Sequence, residues 1–327
     1  MIATFFSAPD GTLRRDLTRG EIAQALASGG GCLWVDFEGV SREEGEPLLR
    51  DVFGFHHLPI DDCFNVLVDP PKAEVYDGYL FVIVQGIDYA AASRRLAVTE
   101  LDLFIGASYV VSFHRRPLPS VARVRRLAED PKLRLLSHGP DRLAHHLIDQ
   151  LVDDVAPALA DMTDALERLE EEVIREPSER TLEEVLRLKR NSQRLRHTML
   201  PMRDVMARFA RGEYPSLVRP ETQLYFRDVY DHVVRTEEMV ETLREFADSA
   251  LNLYLSAINN RTNEVMKTLA VVGALFLPAT IVSSIYGTNF AQNIPGLHWE
   301  FGFYVMLAVM FLVMLGGLAY FRARRWF

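Results

Sequence analysis

One set of side chains in this 327-residue sequence is spaced to line a surface rather than to make or break bonds. Asn252, Ser256, Asn259, Asn263, Met266, Ala270, Gly273, Leu277, Thr280 and Ser284 recur at alternating steps of four and three. That spacing is one helix face at a period of about 3.5 residues. Small and polar side chains gathered on one face allow two chemistries. One is close helix–helix packing, with Ser and Thr hydrogen-bonded across the contact. The other is a water-lined path ringed by hydroxyls and amides. Three Asn on this one face, Asn252, Asn259 and Asn263, favour water, because an unpaired buried amide costs about 1–3 kcal/mol. Met266 and Leu277 would narrow such a path with apolar side chains and could close it by dewetting.

Other candidate constellations are weaker. His56-His57 and His145-His146 are adjacent pairs, and His145 with Asp149 is an i, i+4 pair. No Cys–His spacing for zinc accompanies them, so they read as surface or packing histidines. Cys32 and Cys63 are too few for a disulfide framework. Cys63 has no evident catalytic partner and reads as a small core residue. No P-loop, Gly-x-Gly-x-x-Gly or Gly-x-Ser-x-Gly motif is present, so the chain reads as no enzyme and needs no organic cofactor.

The elements that must position the stripe follow from composition. Residues 269–286 (LAVVGALFLPATIVSSIY) and 301–321 (FGFYVMLAVMFLVMLGGLAYF) carry no charge. Each is near the roughly 20 residues that cross a bilayer as a helix. Pro278 lies inside the first and is tolerated where neighbours satisfy the freed carbonyl. The intervening 287–300 contains neither Lys nor Arg, whereas Lys267 precedes the first span and Arg322, Arg324 and Arg325 follow the second. The excess of positive charge puts both termini in the cytoplasm and the linker outside. A multi-pass protein of the cell inner (plasma) membrane is expected. Residues 268–327 hold three basic side chains and one acid, which leaves 33 basic and 44 acidic before them, a net of −11. Such an acidic body argues against nucleic acid as a partner. The first 15 residues lack the pattern of a signal peptide.

The expected order is an α/β cytosolic domain at 1–140, a helical segment at 141–220, a stalk helix at 221–268, spans at 269–286 and 301–321 around a loop at 287–300, and a basic tail at 322–327. Strands are expected at 32–37, 79–86, 101–105 and 109–114, with helices at 19–28 and 43–53. Prolines 117, 119, 131 and 140 read as punctuation. Further helices are expected at 142–175, with Pro157 able to bend or split it, and at 179–209, with Pro201 inside. No breaker separates 221 from the membrane, so the last soluble helix continues into the first span. A helix of that length needs partners along it, and other copies of the chain are the obvious ones.

The first span ends in Tyr286-Gly287-Thr288-Asn289-Phe290, which resembles the Tyr-Gly-Met-Asn-Phe signature of the CorA family of divalent-cation transporters. Tyr225 to His232 (YFRDVYDH), Tyr254-Leu255-Ser256, Asn263 to Lys267 (NEVMK), Leu147-Ile148-Asp149 with Leu151 to Asp154 (LVDD), Leu188 to Asn191 (LKRN), Pro71 to Glu74 (PKAE) and Asp61 to Asn65 (DDCFN) resemble the family too. The resemblance runs from about residue 50 to the end. It implies a funnel-shaped homopentamer, with five first spans lining a pore and five second spans around them in the lipid. Gly287, Thr288 and Asn289 would form the outer mouth. Asn263 and Thr280 would be polar rings, and Met266, Leu269 and Leu277 the hydrophobic constriction. Mg²⁺ sheds water reluctantly, so amides and carbonyls that accept from its hydration shell suit it better than carboxylates. The family also senses cytosolic Mg²⁺ between subunits, and Asp62 and Asp228 match that carboxylate pair, with Asp61 and Asp149 as further candidates. Thr288 replaces the family's Met and makes the mouth more polar. Relatives with altered triplets include the ZntB branch, so zinc uptake, with or without protons, is the alternative to Mg²⁺ or Co²⁺/Ni²⁺ flux. A membrane-anchored sensor whose stripe is only a packing seam is the other.

Overall fold

A computed structural model of the chain describes residues 1–130, 133–287, 299–324 and 326. They fall into two compact units, Met1–Leu251 and Asn252–Phe327.

The first unit is built on a seven-stranded sheet: β1 (Ile2–Ser7), β2 (Leu13–Arg15), β3 (Cys32–Glu38), β4 (Lys72–Tyr76), β5 (Tyr79–Ala90), β6 (Arg95–Gly106) and β7 (Tyr109–His114). The order across it is β2-β1-β3-β7-β6-β5-β4. Only β3 and β7 run parallel; the other neighbours are antiparallel. The inner strands are apolar at nearly every position because both faces are covered. The two-residue period of a strand sends alternate side chains to opposite layers. Trp34, Leu80, Val82, Leu101 and Leu103 enter one core, shared with α4 (Pro119–Glu129), α5 (Pro140–Asp153), α7 (Glu179–Ala210) and the start of α8 (Pro220–Tyr286). Leu33, Val35, Phe37, Phe81 and Phe113 enter the other, beneath α1 (Arg19–Ser28), α2 (Arg42–Asp51) and α3 (His57–Phe64). A third cluster joins Ile87 and Leu96, on the β5–β6 hairpin, to α6 (Val155–Arg175), α7 and α8 through Leu166, Leu188, Val240 and Leu243.

Several elements differ from the sequence-based expectation. The helix expected over 142–175 divides at Asp154 into α5 and α6. Pro157 then sits in the first turn of α6, where a missing N–H deprives no carbonyl of its bond. Pro119, read as punctuation, opens α4 for the same reason. Pro201 stays inside α7. Strands β1, β2 and β4 and helix α3 were not expected. β4 is a half-exposed edge strand with charges at Lys72 and Glu74, so its apolar signal is weak.

The second unit holds the end of α8 and helix α9 (Gly302–Ala323). α8 is unbroken over 67 residues with Pro278 inside, roughly 100 Å at 1.5 Å per residue. The apolar part of α8 and all of α9 are long and apolar enough to cross a membrane. Gly317 on α9 permits a close approach: a Cβ there would come within 2.8 Å of Leu275 Cδ2.

Candidate ion-conducting face and cation cluster

The stripe begins with the helix that carries it. From Asn263 to Ser284 the residues are in continuous helix, so the 4-3 spacing maps onto a single face. Val271, Leu275 and Ala279, at steps of four, form another face. Val271 and Ala279 are buried, and Leu275 is where Gly317 of α9 packs. At about 100° per residue the two faces are nearly opposite. The face bearing Ala270, Gly273, Leu277, Thr280 and Ser284 is therefore left uncovered by α9, and the flanking apolar Val272, Phe276, Ile281 and Ile285 are exposed too. Met266 and Leu277 are each 63% exposed in the single chain and Leu269 is 70% exposed. Asn263, Ala270, Thr280 and Ser284 are exposed as well, and nothing lies within 4 Å of a Cβ placed on Gly273.

The chemistry of this face is neutral, with the Asn263 amide and the Thr280 and Ser284 hydroxyls separated by apolar Met266, Ala270 and Leu277. The Thr280 hydroxyl donates to Phe276 O, one turn back, at 2.9 Å. With its proton used within the helix, the oxygen keeps lone pairs for water donors. Gly287 N donates to Ser283 O at 2.9 Å and closes the helix end. That end is the negative pole of the α8 dipole, which favours cations within the last turn. Thr288 and Asn289, expected at the outer mouth, lie outside the described residues.

The expected regulatory carboxylates separate into two groups in the first unit. Asp61 and Asp62 lie on α3, whose Ile60 and Cys63 enter the second core. Each has a cationic neighbour: Asp61 pairs with Arg42, and Asp62 accepts from Lys72 Nζ at 2.7 Å. Asp149 and Asp228 lie on α5 and α8, whose Ile148 and Val229 enter the first core. The sheet therefore separates Asp62 from Asp228 within one chain.

Asp149 and Asp228 do meet other ligands. Asp149, Asp153 and His232 can bring one ligand atom each within 4.8 Å of one another. His232 Nδ1 is 3.7 Å from Asp153 Oδ1, and its Nε2 is 3.9 Å from Asp228 Oδ1. Arg219, just before α8, fixes the two helices in register. Its backbone N and Nε donate to Asp141 Oδ2 at 3.1 and 2.9 Å, and its Nη2 donates to Oδ1 at 2.6 Å. Burial resists ionisation of Asp141, but these bonds hold its carboxyl below the usual carboxylate range. Asp149 shows the opposite balance. Burial, then the charge of Asp153, raises its pKa; His232 opposes and Asp228 adds to the rise. Crowded carboxylates of this kind gain from a divalent cation that replaces a proton. Their oxygens suit Mg²⁺, and the imidazole adds a donor that suits Zn²⁺, Co²⁺ or Ni²⁺. Asp153 and His232 were not among the expected site residues. The signal for them is the pair of i, i+4 spacings, Asp149 to Asp153 and Asp228 to His232, which put each pair on one helix face.

Comparison with known proteins places this geometry in context. Residues 29–325 match the family model described as CorA-like Mg²⁺ transporter protein. The chain is 36% identical over 295 residues to the YfjQ protein of Bacillus subtilis (strain 168), covering 90% of this chain and 89% of that one. It is 34% identical over 293 residues to the cobalt/magnesium transport protein CorA of Thermotoga maritima, covering 90% and 83%. The fold is similar to the complete structure of the CorA magnesium transporter from Methanocaldococcus jannaschii, with a TM-score of 0.84 at 20% identity over 100% of this chain and 99% of that one.

Proposed function

Because the chain belongs to the CorA-like Mg²⁺ transporter family, we propose that its own residues form a gated, oligomeric pathway for hydrated divalent cations. That it is a membrane-spanning divalent-cation transporter, and not an enzyme, follows from the family. The family also sets aside the sensor-only alternative. The finer reading rests on one observation: the 4-3 stripe of α8 lies opposite the face that α9 covers. In this reading, copies of the stripe converge on an axis as a pentamer, in the cell inner membrane, with both termini cytoplasmic. Cations descend their electrochemical gradient past Gly287, Thr288 and Asn289, then Ser284, Thr280, Leu277, Gly273, Ala270, Leu269, Met266 and Asn263. Hydroxyls and amides accept hydrogen bonds from the ion's water. Met266, Leu269 and Leu277 close the path by dewetting when the copies draw together.

Cytosolic Mg²⁺ is the proposed closing signal. Asp62 and Asp228 lie on opposite layers of one sheet. A single ion held by both must then bridge Asp62 of one copy and Asp228 of the next. Asp61 and Asp149 would reinforce it, and such an ion would tie neighbouring copies together.

Mg²⁺ is the proposed main cargo, with Co²⁺ or Ni²⁺ able to follow. Thr288 in place of Met, and the imidazole of His232 in the cluster, favour proton-coupled Zn²⁺ uptake as the second reading. Flux into liposomes separates them. Mg²⁺ entry that ignores an imposed pH gradient supports the first reading, and Zn²⁺ entry driven by that gradient supports the second. Asn289→Ala should lower flux in either case. Unchanged flux in that variant would remove the mouth from the pathway.

A further inference from the structure

A cleft of about 730 Å³ opens where the β5–β6 hairpin meets α7, and its lining is strongly basic in a protein of net negative charge. Five of its lining side chains are arginines: Arg94, Arg95, Arg187, Arg190 and Arg194. Many arginines of this unit pair with acids, as Arg203 does with Glu237 and Arg208 with Glu213, and others, such as Arg142 over the Tyr225 ring, stand singly; here five are gathered in one cleft. Within the cleft only Arg94 pairs with an acid, Glu184. Among the described residues, no carboxylate oxygen lies within 4.0 Å of the side chains of Arg95, Arg187, Arg190 or Arg194. Asp88 is the one acid on the lining.

Part of this charge has a structural use. Arg187, Asn191 and Arg194 share one face of α7. Arg187 Nη1 donates to Ser93 O at 2.9 Å, Asn191 Nδ2 to Arg94 O at 2.9 Å, and Arg194 Nη1 to Leu96 O at 3.0 Å. These bonds dock the hairpin, yet each guanidinium retains further N–H donors. They also pin two cations in place before any ligand arrives, which lowers the entropy lost on binding. Arg95 and Arg190 take no part in docking and are exposed. Hairpin packing alone gives no reason for their charge.

We propose that this cleft binds a soluble polyphosphate anion, such as inorganic tripolyphosphate or the phosphate tail of a nucleoside triphosphate. The planar guanidinium fork matches phosphate oxygens, and several such forks match several linked phosphates. The volume is that of a small-molecule site rather than of a single ion. No aromatic side chain lines it on which a base could stack, so recognition rests on the phosphates and not on the nucleobase. None of its lining residues belongs to the proposed transport path or to the acidic cluster.

The test is calorimetric titration of the full-length, detergent-solubilised protein with sodium tripolyphosphate. Divalent-free buffer keeps chelation of Mg²⁺ from contributing heat. Saturable binding is expected, with ATP and GTP equivalent to each other. Arg95→Gln with Arg190→Gln should weaken it at least tenfold, roughly the effect of losing a charge-assisted contact. Arg190→Gln alone should weaken it several-fold and serves if the double variant does not fold. The proposal is overturned by any of three results: no saturable binding at millimolar anion, equal affinity in wild type and variants, or displacement by sulfate as effective as by tripolyphosphate at matched ionic strength.

Discussion

His145 shows how one buried side chain ties this protein's stability to pH. Its ring lies edge-on to Tyr225 and Phe226, with centroids 5.6 and 5.5 Å away. Burial, then the charges of His146 and Arg142, bring its pKa down to about 3. An unfolded chain takes up that proton near pH 6.5. The folded state refuses it, so stability is complete above about pH 6.5. It falls as pH drops from there towards about 3, by at most about 1.4 kcal/mol per pH unit from this group. His145→Phe keeps an aromatic ring in the same packing and removes the proton site. Thermal unfolding of the variant between pH 7 and 4.5 should vary less with pH than that of wild type, and equal slopes would contradict this assignment. The cluster of Asp149, Asp153 and His232 gives a second residue-scale expectation. Asp149→Asn with Asp228→Asn should weaken Mg²⁺-dependent protection against proteolysis several-fold, since both remove charge without changing shape. Undiminished protection would take these carboxylates out of the sensor. The motif at Asp228 was legible in the sequence. The convergence of α5 on α8 that adds Asp153 was not.

At the scale of the helix, two glycines make opposite predictions. Gly317 lies at the approach of α9 to Leu275, and a side chain there meets an atom at 2.8 Å. Gly317→Val must push aside the end of the Leu275 side chain and should destabilise the helical hairpin by about 1 kcal/mol, the low end of the usual overpacking range. Gly273 has nothing within 4 Å of its Cβ position in the single chain. Gly273→Leu should therefore leave helix content and folding of the single chain unchanged and abolish cation flux. Circular dichroism and liposome flux on the same preparation test the pair. A conducting Gly273→Leu protein would mean that copies do not converge at this face. The unbroken α8 was legible because no Gly or Pro interrupts 221–268. The division of α5 from α6 was legible only as one of two outcomes, because Pro157 is equally compatible with a helix start and a kink.

For the whole molecule, charge is the deciding quantity. Residues 1–267 carry a net of −11, so assembled copies repel one another. Divalent ions between them would relieve that repulsion more effectively than monovalent salt at equal ionic strength. Limited proteolysis should accordingly show protection by millimolar Mg²⁺ and not by matched KCl. Equal protection by KCl would reduce the effect to screening. The native mass of the solubilised protein should be five times 37.2 kDa plus detergent, and a monomer would end the pore reading.

The sequence by itself determined the features that depend on local pattern. These are two apolar spans, a continuous helix into the first, an α/β region before it and a small-polar stripe at a helical period. Each follows from the order of residue types along the chain, which repeats at intervals the backbone geometry sets. Tertiary structure alone decided what depends on which surfaces meet. It put α9 on the face of Val271, Leu275 and Ala279 and left the stripe uncovered. It set Asp62 and Asp228 on opposite layers of one sheet, and brought Asp153 and His232 together across two helices. Spacing along one element says which side chains share a face. Only the packing of elements says what that face confronts.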